Sequence, residues 1–200
     1  MKEQLDHFPI VTIFFVVANI LIWIVLEVMG STYDSSFMIM YGASYTPYIL
    51  ENGEWWRLLT CTFLHFGPSH LFSNMLILAL TGMRLERHMG KYPFAVLYLL
   101  SGISGSVMSF LKTLGEEEAV VSAGASGAVF GILGGLIVAA FFNHGKVEDL
   151  KIKGLFIMLV LNIYNGFTTV GVDNWGHIGG FAGGFIFSLM FCLVGKYRND

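Results

Sequence analysis

Long apolar segments recur along this chain of 200 residues and constrain its fold more than any other feature. A membrane-spanning helix requires about 20 mostly apolar residues, and the sequence supplies such a segment repeatedly. A soluble chain of this size has no interior large enough to bury several helices that are apolar on every side. Only 12% of the residues are charged, against roughly a quarter in ordinary soluble domains. We therefore predict an all-α integral membrane protein.

Hydropathy and turn residues together predict six membrane-spanning helices. The predicted spans are 9–29, 69 to 83 or 88, 93–114, 126–142, 154–170 and 177–194, with short polar tails at about 1–8 and 196–200. The fifth span is the least regular, because Asn162, Asn165 and Gly166 interrupt it. The connection 31–68 is long and rich in aromatic residues, which favour the lipid headgroup zone. We expect it to be a structured loop lying partly in that zone.

The distribution of lysine and arginine predicts the orientation of the chain. Six spans place both termini on one side, and nine of the 11 lysine and arginine residues fall on that side. Only Arg57 and Lys112 lie in the opposite loops, where Glu116, Glu117 and Glu118 form an acidic turn. The positive-inside rule then places both termini in the cytoplasm. We expect a multi-pass protein of the plasma membrane.

This topology brings a small set of polar side chains to one depth, just below the outer face. His70 and Asn74 lie in the first turns of the second span, Ser126 begins the fourth, and His177 begins the sixth. Ionisable groups within spans are costly and usually face a partner or a water-filled cavity. Apolar burial alone does not require this coincidence, so a functional site is indicated there.

Glycine stripes indicate which of these spans touch. Glycine recurs every four residues at 127, 131 and 135 in the fourth span, and at 176, 180 and 184 in the sixth. Small residues at this spacing let two helix backbones approach closely in lipid. If the stripes pack together, the His177 imidazole can reach the Ser126 hydroxyl. The alternative is that the stripes only pack, with Ser126 a helix cap and His177 an interfacial residue.

A serine beside a histidine suits acyl transfer. A serine hydroxyl is a weak nucleophile until a base removes its proton, and histidine performs this task near neutral pH. The start of a helix leaves backbone N–H groups unpaired, so the donors at Ser126 could stabilise a developing oxyanion. Asn74 and His70, four residues apart on one helix face, could add side-chain donors.

Four motifs in order along the chain carry a resemblance to a known family. They are Trp56-Arg57, the segment from His65 to Asn74 with its paired histidines, Gly124-Ala125-Ser126-Gly127, and His177-Ile178-Gly179-Gly180 continuing to Gly184. The last two match Gly-x-Ser-Gly and His-x-x-Gly-x-x-x-Gly patterns. The chain resembles the rhomboid family of intramembrane serine proteases over nearly its whole length. The resemblance implies a single rhomboid-like domain over 1–200, a six-helix bundle of the minimal bacterial form with a long structured first loop.

The resemblance also implies a role for each residue. Ser126 would be the nucleophile and His177 the base of a dyad, with Asn74, His70 and the Ser126 amide as the oxyanion site. The implied structural supports are Trp56, Arg57, Glu86, Gly124, Gly127, Gly180 and Gly184. His65 would also be structural. Phe130 stands where relatives often carry Tyr, so its ring would pack on His177 without a hydroxyl bond.

The implied reaction is hydrolysis of a peptide bond in or next to a transmembrane helix of another protein. Its partners would be transmembrane protein substrates and the lipid bilayer, with no cofactor, no metal and no obligate protein partner. A substrate helix shields its carbonyl groups, so it would have to unwind locally, and helix-weakening residues near the cut would help. The formal net charge of −3 and the lack of a basic stripe disfavour nucleic acid as a partner.

Other interpretations of the same residues stay open from the sequence. Asp173, four residues before His177, could complete a triad or be a solvated loop residue. His65, His70 and His177 could form a metal cluster, although no His-Glu-x-x-His motif is present. The chain could be a catalytically inactive rhomboid-like binder of transmembrane clients. A small transporter would require an internal repeat, and the sequence shows none beyond the glycine stripes.

Overall fold

The computed structural model describes residues 8–116, 120–169 and 171–195. Most of the predicted tails, together with Glu117 and Glu118, lie outside the described residues. Ten α-helices occur in this part of the chain: α1 Ile10–Met29, α2 Ser35–Met40, α3 Thr46–Glu51, α4 Arg57–Thr60, α5 Gly67–Ile77, α6 Met83–Met89, α7 Lys91–Thr113, α8 Ser126–Phe142, α9 Ile152–Thr168 and α10 Asn174–Leu193. Two short antiparallel ladders pair β1 Ser44–Tyr45 with β2 Val121–Ser122, and β3 Lys146–Val147 with β4 Leu150–Lys151.

The observed helices follow the predicted spans with shifted ends. Helices α1, α7 and α10 are long and apolar enough to cross a membrane. The segment 57–63 and the helix 67–89 form a fourth candidate, bent by 90° at the break between them. Helices α8 and α9 are apolar but only 17 residues long. The structure is therefore mostly helical, and the six-span topology stays a prediction.

The second span departs most from its predicted limits. It begins at Gly67 and continues to Met89, because a π-helical turn over Leu78–Gly82 joins α5 to α6 without ending the helix. A π turn inserts one extra residue into the helix and rotates the side chains that follow. The sixth span starts at Asn174, three residues before His177, because Asp173 caps it.

Helix α8 forms the centre of the bundle. Of its 17 residues, 13 are buried, as expected for a helix that is apolar on every side. Helices α7 and α10 pack on it along most of their lengths, whereas α9 makes far fewer contacts and buries only Leu155 and Gly166. Helices α7, α8 and α10 are thus the most extensively packed of the described helices, and α9 packs on its neighbours over a smaller area.

Glycines bring the backbones of α7, α8 and α10 together beneath the first turns of α8 and α10. A methyl group added at Gly105 would lie 2.6 Å from the Gly176 carbonyl oxygen and 3.3 Å from the Gly127 Cα. A methyl group at Gly180 would overlap the carbonyl of Gly127, and one at Gly184 would overlap the carbonyl of Gly131. The two predicted glycine stripes therefore lie in backbone contact.

A buried carboxylate fixes the start of α1. Glu86, only 4% exposed, accepts hydrogen bonds from the backbone N–H groups of Val11 (2.9 Å) and Thr12 (2.7 Å) and from the Thr12 hydroxyl (2.7 Å). Pro9, which precedes α1, supplies no capping side chain. The carboxylate thus satisfies N–H groups that have no partner within the helix and lies at the positive end of its dipole. This gives Glu86 a specific structural role.

Replacing Glu86 should loosen α1 without touching the predicted catalytic residues. We expect Glu86→Ala to lower the free energy of unfolding by about 2–3 kcal/mol, because charge-assisted hydrogen bonds are lost inside the protein. Glu86→Gln should lose about half as much, since the amide keeps one acceptor oxygen. Unfolding of the purified proteins, monitored by circular dichroism, measures the loss in free energy of unfolding for each variant. Glu51→Ala, at an exposed site, is the control, and equal stability of all variants would contradict the capping role.

The β3–β4 hairpin connects α8 to α9 and is clamped to the end of the second span. Arg87 makes two parallel hydrogen bonds to Glu148 (2.7 and 2.9 Å), and Arg84 makes two to Asp149 (2.8 and 3.1 Å). The hydrogen bonds from Arg84 hold the pKa of the Asp149 carboxyl below its usual value. These bidentate ion pairs hold the hairpin in place and so anchor the N-terminal end of α9, which begins at Ile152.

Candidate active site

Ser126 is the first residue of α8 and follows a turn that requires glycine. Gly124 has φ +146°, a conformation that residues with a side chain rarely adopt. A Cβ there would also lie 2.8 Å from Cε1 and 2.9 Å from Nε2 of His70. Gly124 therefore allows both the turn into α8 and the close approach of the His70 ring.

The loop before Ser126 is held by the long first loop. The Ala125 N–H donates to Nε2 of the fully buried His65 (3.3 Å), and the Gly124 N–H donates to the Cys61 carbonyl (2.9 Å). The ladder of β1 with β2 adds backbone pairing a few residues earlier. His65 thus acts as a hydrogen-bond acceptor beside Ser126, which agrees with the structural role that the resemblance implies.

His177 lies in the first turn of α10 with its ring against Phe130. The two rings stack with their centroids 4.2 Å apart and their planes 13° from parallel. Nδ1 of His177 is buried and has no hydrogen-bond partner within 8–116, 120–169 and 171–195. The packing implied by the phenylalanine at position 130 is therefore present, and it sets the plane of the imidazole.

Asp173 caps α10 and does not bind the imidazole. One carboxylate oxygen accepts the Gly176 N–H (2.8 Å), and the other accepts the Ser122 hydroxyl (2.7 Å). Among the residues that the structure describes, none bonds His177 Nδ1, so no Ser-His-Asp relay is present in this part of the chain. Asp173 is thus a half-buried loop residue that accepts hydrogen bonds on both carboxylate oxygens.

The four predicted site residues line one cavity of about 1440 Å³. They are Ser126, His177, His70 and Asn74. Asn74, 6% exposed, donates one amide hydrogen to the His70 carbonyl (3.0 Å), which leaves its second N–H for another acceptor. Among the described residues, no hydrogen bond joins the Ser126 hydroxyl to His177. The structure thus brings the four residues together around one space, while their catalytic roles stay a prediction.

Arg57 organises the first loop at some distance from this cavity. Its guanidinium, in a residue only 3% exposed, donates to the carbonyl oxygens of Ile39 (2.6 Å) and Ala43 (3.0 Å) and to the Glu54 carboxylate (2.6 Å). The half-exposed Trp56 ring lies 4.7 Å from the guanidinium carbon. The sequence did not indicate these carbonyl acceptors, because they are backbone groups whose position depends on the folded loop.

The metal alternative receives no support from the side chains. The rings of His65 and His70 are neighbours, with centroids 5.2 Å apart. Within 8–116, 120–169 and 171–195, no group of three or more His, Cys, Asp or Glu side chains is placed to hold a metal ion.

Comparison with known proteins gives one consistent family. Residues 52–194 match the sequence model of the Rhomboid domain. The chain is 38% identical over 177 residues to Rhomboid protease GluP of Bacillus subtilis, covering 88% of this chain and 34% of that protein. It is 39% identical over 150 residues to RHOMBOID-like protein 4 of Arabidopsis thaliana, covering 74% of this chain and 37% of that one.

Another Bacillus subtilis relative is similar in length as well. Putative rhomboid protease YdcA is 30% identical over 194 residues, which is 96% of this chain and 92% of that protein. The chain thus spans about a third of the length of the first two relatives and nearly all of the third. A domain match over most of the chain, joined to these identities, leads to one conclusion: the chain belongs to the rhomboid family.

Proposed function

We propose that this multi-pass membrane protein is an intramembrane serine endopeptidase that cleaves peptide bonds in or near transmembrane segments of other proteins. In this proposal Ser126 is the nucleophile and His177 the general base. One observation carries it: the first turns of α8 and α10 present Ser126 and His177 to a single cavity, above a backbone contact between the two helices. The names of its relatives, which include rhomboid proteases, support the same reaction.

The first chemical step is attack of the Ser126 hydroxyl oxygen on the scissile carbonyl carbon. His177 takes the hydroxyl proton, and a tetrahedral intermediate with a negative oxygen forms. The imidazole then gives this proton to the leaving amine as the peptide C–N bond breaks, leaving an acyl-serine ester. Water hydrolyses the ester in a second step, with His177 again as base. Phe130, stacked on the ring, keeps the imidazole in one plane throughout.

The oxyanion would be stabilised by groups at the start of α8 and on α5. No side chain caps the N-terminus of α8, so its first N–H groups remain unbonded donors. The second amide hydrogen of Asn74 and the His70 ring provide further donors from the facing helix. Losing one such donor typically reduces turnover by about 10²–10³.

Residues of both α5 and α9 line the cavity, and we propose that a substrate helix enters between these two helices, as the resemblance to the family implies. We further propose six spans with both termini cytoplasmic and the site near the outer face of the plasma membrane. The lysine and arginine distribution supports this orientation. Helices α8 and α9, with 17 residues each, are roughly 25 Å long, slightly short for a bilayer core of about 30 Å.

A second function, binding of transmembrane clients without cleavage, is favoured by one observation. The Ser126 hydroxyl and His177 are not hydrogen-bonded in this structure, and such a bond is the usual mark of an activated serine. Unliganded active sites often have long or poorly aligned hydrogen bonds that tighten when the substrate binds, so we keep the protease as the main proposal.

The deciding experiment uses purified protein in liposomes. A fluorophosphonate probe tests whether Ser126 reacts as an activated serine, and a reporter with a single transmembrane helix tests cleavage. The protease proposal expects wild-type protein both to be labelled at Ser126 and to cut the reporter. Binding of the reporter without labelling or cleavage would establish the client-binding function instead.

A further inference from the structure

Two amide side chains on α9 face the cavity that holds the predicted catalytic residues. Asn162 and Asn165 line this cavity together with Met158, and the three positions share one face of the helix at about 100° per residue. Exposed apolar side chains at other positions of α9 do not line this cavity; they are Ile157, Val160, Leu161 and Tyr164. Asn162 is half-buried and Asn165 is exposed, so both amides are accessible to a molecule in the cavity.

These amides do not serve to hold α9 in place. Asn162 donates one N–H to the Met158 carbonyl within its own helix (2.8 Å), which leaves its oxygen and second N–H without a bond to another helix. The Asn165 side chain makes no hydrogen bond within the described residues. The helix instead buries Leu155 and Gly166. Polar side chains inside a membrane are expensive and are usually associated with a partner or a pathway.

An unwound substrate helix carries the chemical groups that these two amides could bind. The substrate helix must unwind before its scissile carbonyl can reach Ser126, and unwinding exposes backbone N–H and C=O groups. In a bilayer each such group without a partner costs several kcal/mol. An asparagine side chain offers both an acceptor oxygen and N–H donors, and so can bind either peptide group. Across the cavity, Ser73 and Asn74 of α5 supply further polar groups.

We propose that Asn162 and Asn165 bind the backbone of the unwound segment of a transmembrane substrate as it passes between α5 and α9 to Ser126. This inference rests on the proposed protease function. It makes α9 a recognition surface for peptide groups and selects substrates whose helix is already weak near the cut. The helix propensity of that segment then affects substrate selection more than the identity of its individual side chains does.

The test compares three variants in liposomes with the same transmembrane reporter. The double variant Asn162→Leu/Asn165→Leu should lower kcat/KM about tenfold, mainly through a higher KM, because it removes binding groups and leaves the dyad intact. The double variant Asn162→Gln/Asn165→Gln should recover much of this loss. Thr168→Val is the matched control, since this exposed hydroxyl on α9 bonds to its own helix and does not line the cavity.

A second readout separates this inference from the proposed function. The small fluorophosphonate probe reaches Ser126 without a helix to unwind, so its labelling rate should be equal in wild type and both double variants. Normal labelling with normal reporter cleavage in the leucine variant would overturn the inference alone. Reduced labelling would overturn it too, because the amides would then support the dyad structurally. Absence of labelling in wild type would instead overturn the protease proposal.

Discussion

Ser126→Ala is expected to abolish cleavage of a transmembrane reporter, with a loss of more than about 10³-fold in kcat. The variant removes the atom that forms the acyl intermediate in the proposed mechanism and adds no bulk at the start of α8, so folding should be unaffected. Cleavage rates measured in liposomes, with matched protein amounts, give the comparison.

His177→Ala should lose activity to a similar extent, because the hydroxyl proton then has no acceptor. Effects of residues that act as one unit are not additive, so the double variant Ser126→Ala/His177→Ala should be no worse than either single one. Ser36→Ala, an exposed serine of α2 outside the cavity, is the control and should retain wild-type activity. Residual cleavage in Ser126→Ala at a tenth of the wild-type rate or more would contradict the assignment.

Gly180→Val should have the largest effect on stability. Any Cβ at this position overlaps the carbonyl group of Gly127, and the atoms in conflict are backbone atoms that cannot rotate away. Overpacking in a core usually costs about 1–3 kcal/mol, because side chains are forced to shift. Here the helices α8 and α10 must separate as well. We therefore expect the free energy of unfolding to fall by about 3 kcal/mol or more. Denaturant unfolding of the purified protein in detergent micelles provides the measurement.

Gly154→Ala is the matched control for that substitution. This glycine lies in α9 and has no atom within 4 Å of the position a Cβ would take. Alanine is the better helix former, so stability should stay equal or rise by up to about 1 kcal/mol. A Gly180→Val variant as stable as Gly154→Ala would show that the two helices are not in backbone contact.

Apolar length and glycine spacing were sufficient to predict a mostly helical chain with long apolar helices, the pairing of α8 with α10 and the shared cavity, while the number of membrane spans stays a prediction. These features depend on local composition and on helical periodicity, which a single sequence displays directly. The stacking of Phe130 on His177 followed only from the family resemblance, since nothing in residue spacing specifies which aromatic ring meets the imidazole.

Contacts to the backbone could not be predicted in the same way. Arg57 binds two carbonyl groups in the first loop, His65 accepts the Ala125 N–H, and Glu86 caps a helix 75 residues away from it. Each partner is a peptide group that every residue carries, so residue identity gives no signal. The π turn at Leu78–Gly82 was missed for a related reason, because its residues have ordinary helical character.

The bond between Glu86 and the start of α1 has a consequence for biosynthesis. The ribosome adds roughly 5–20 residues per second, so the carboxylate is made about 4–15 s after Val11 and Thr12. During this interval the N–H groups of Val11 and Thr12 lack the acceptor that Glu86 later provides. Helix α1 is therefore synthesised well before its start is fixed, and this contact forms only when the segment that carries Glu86 arrives.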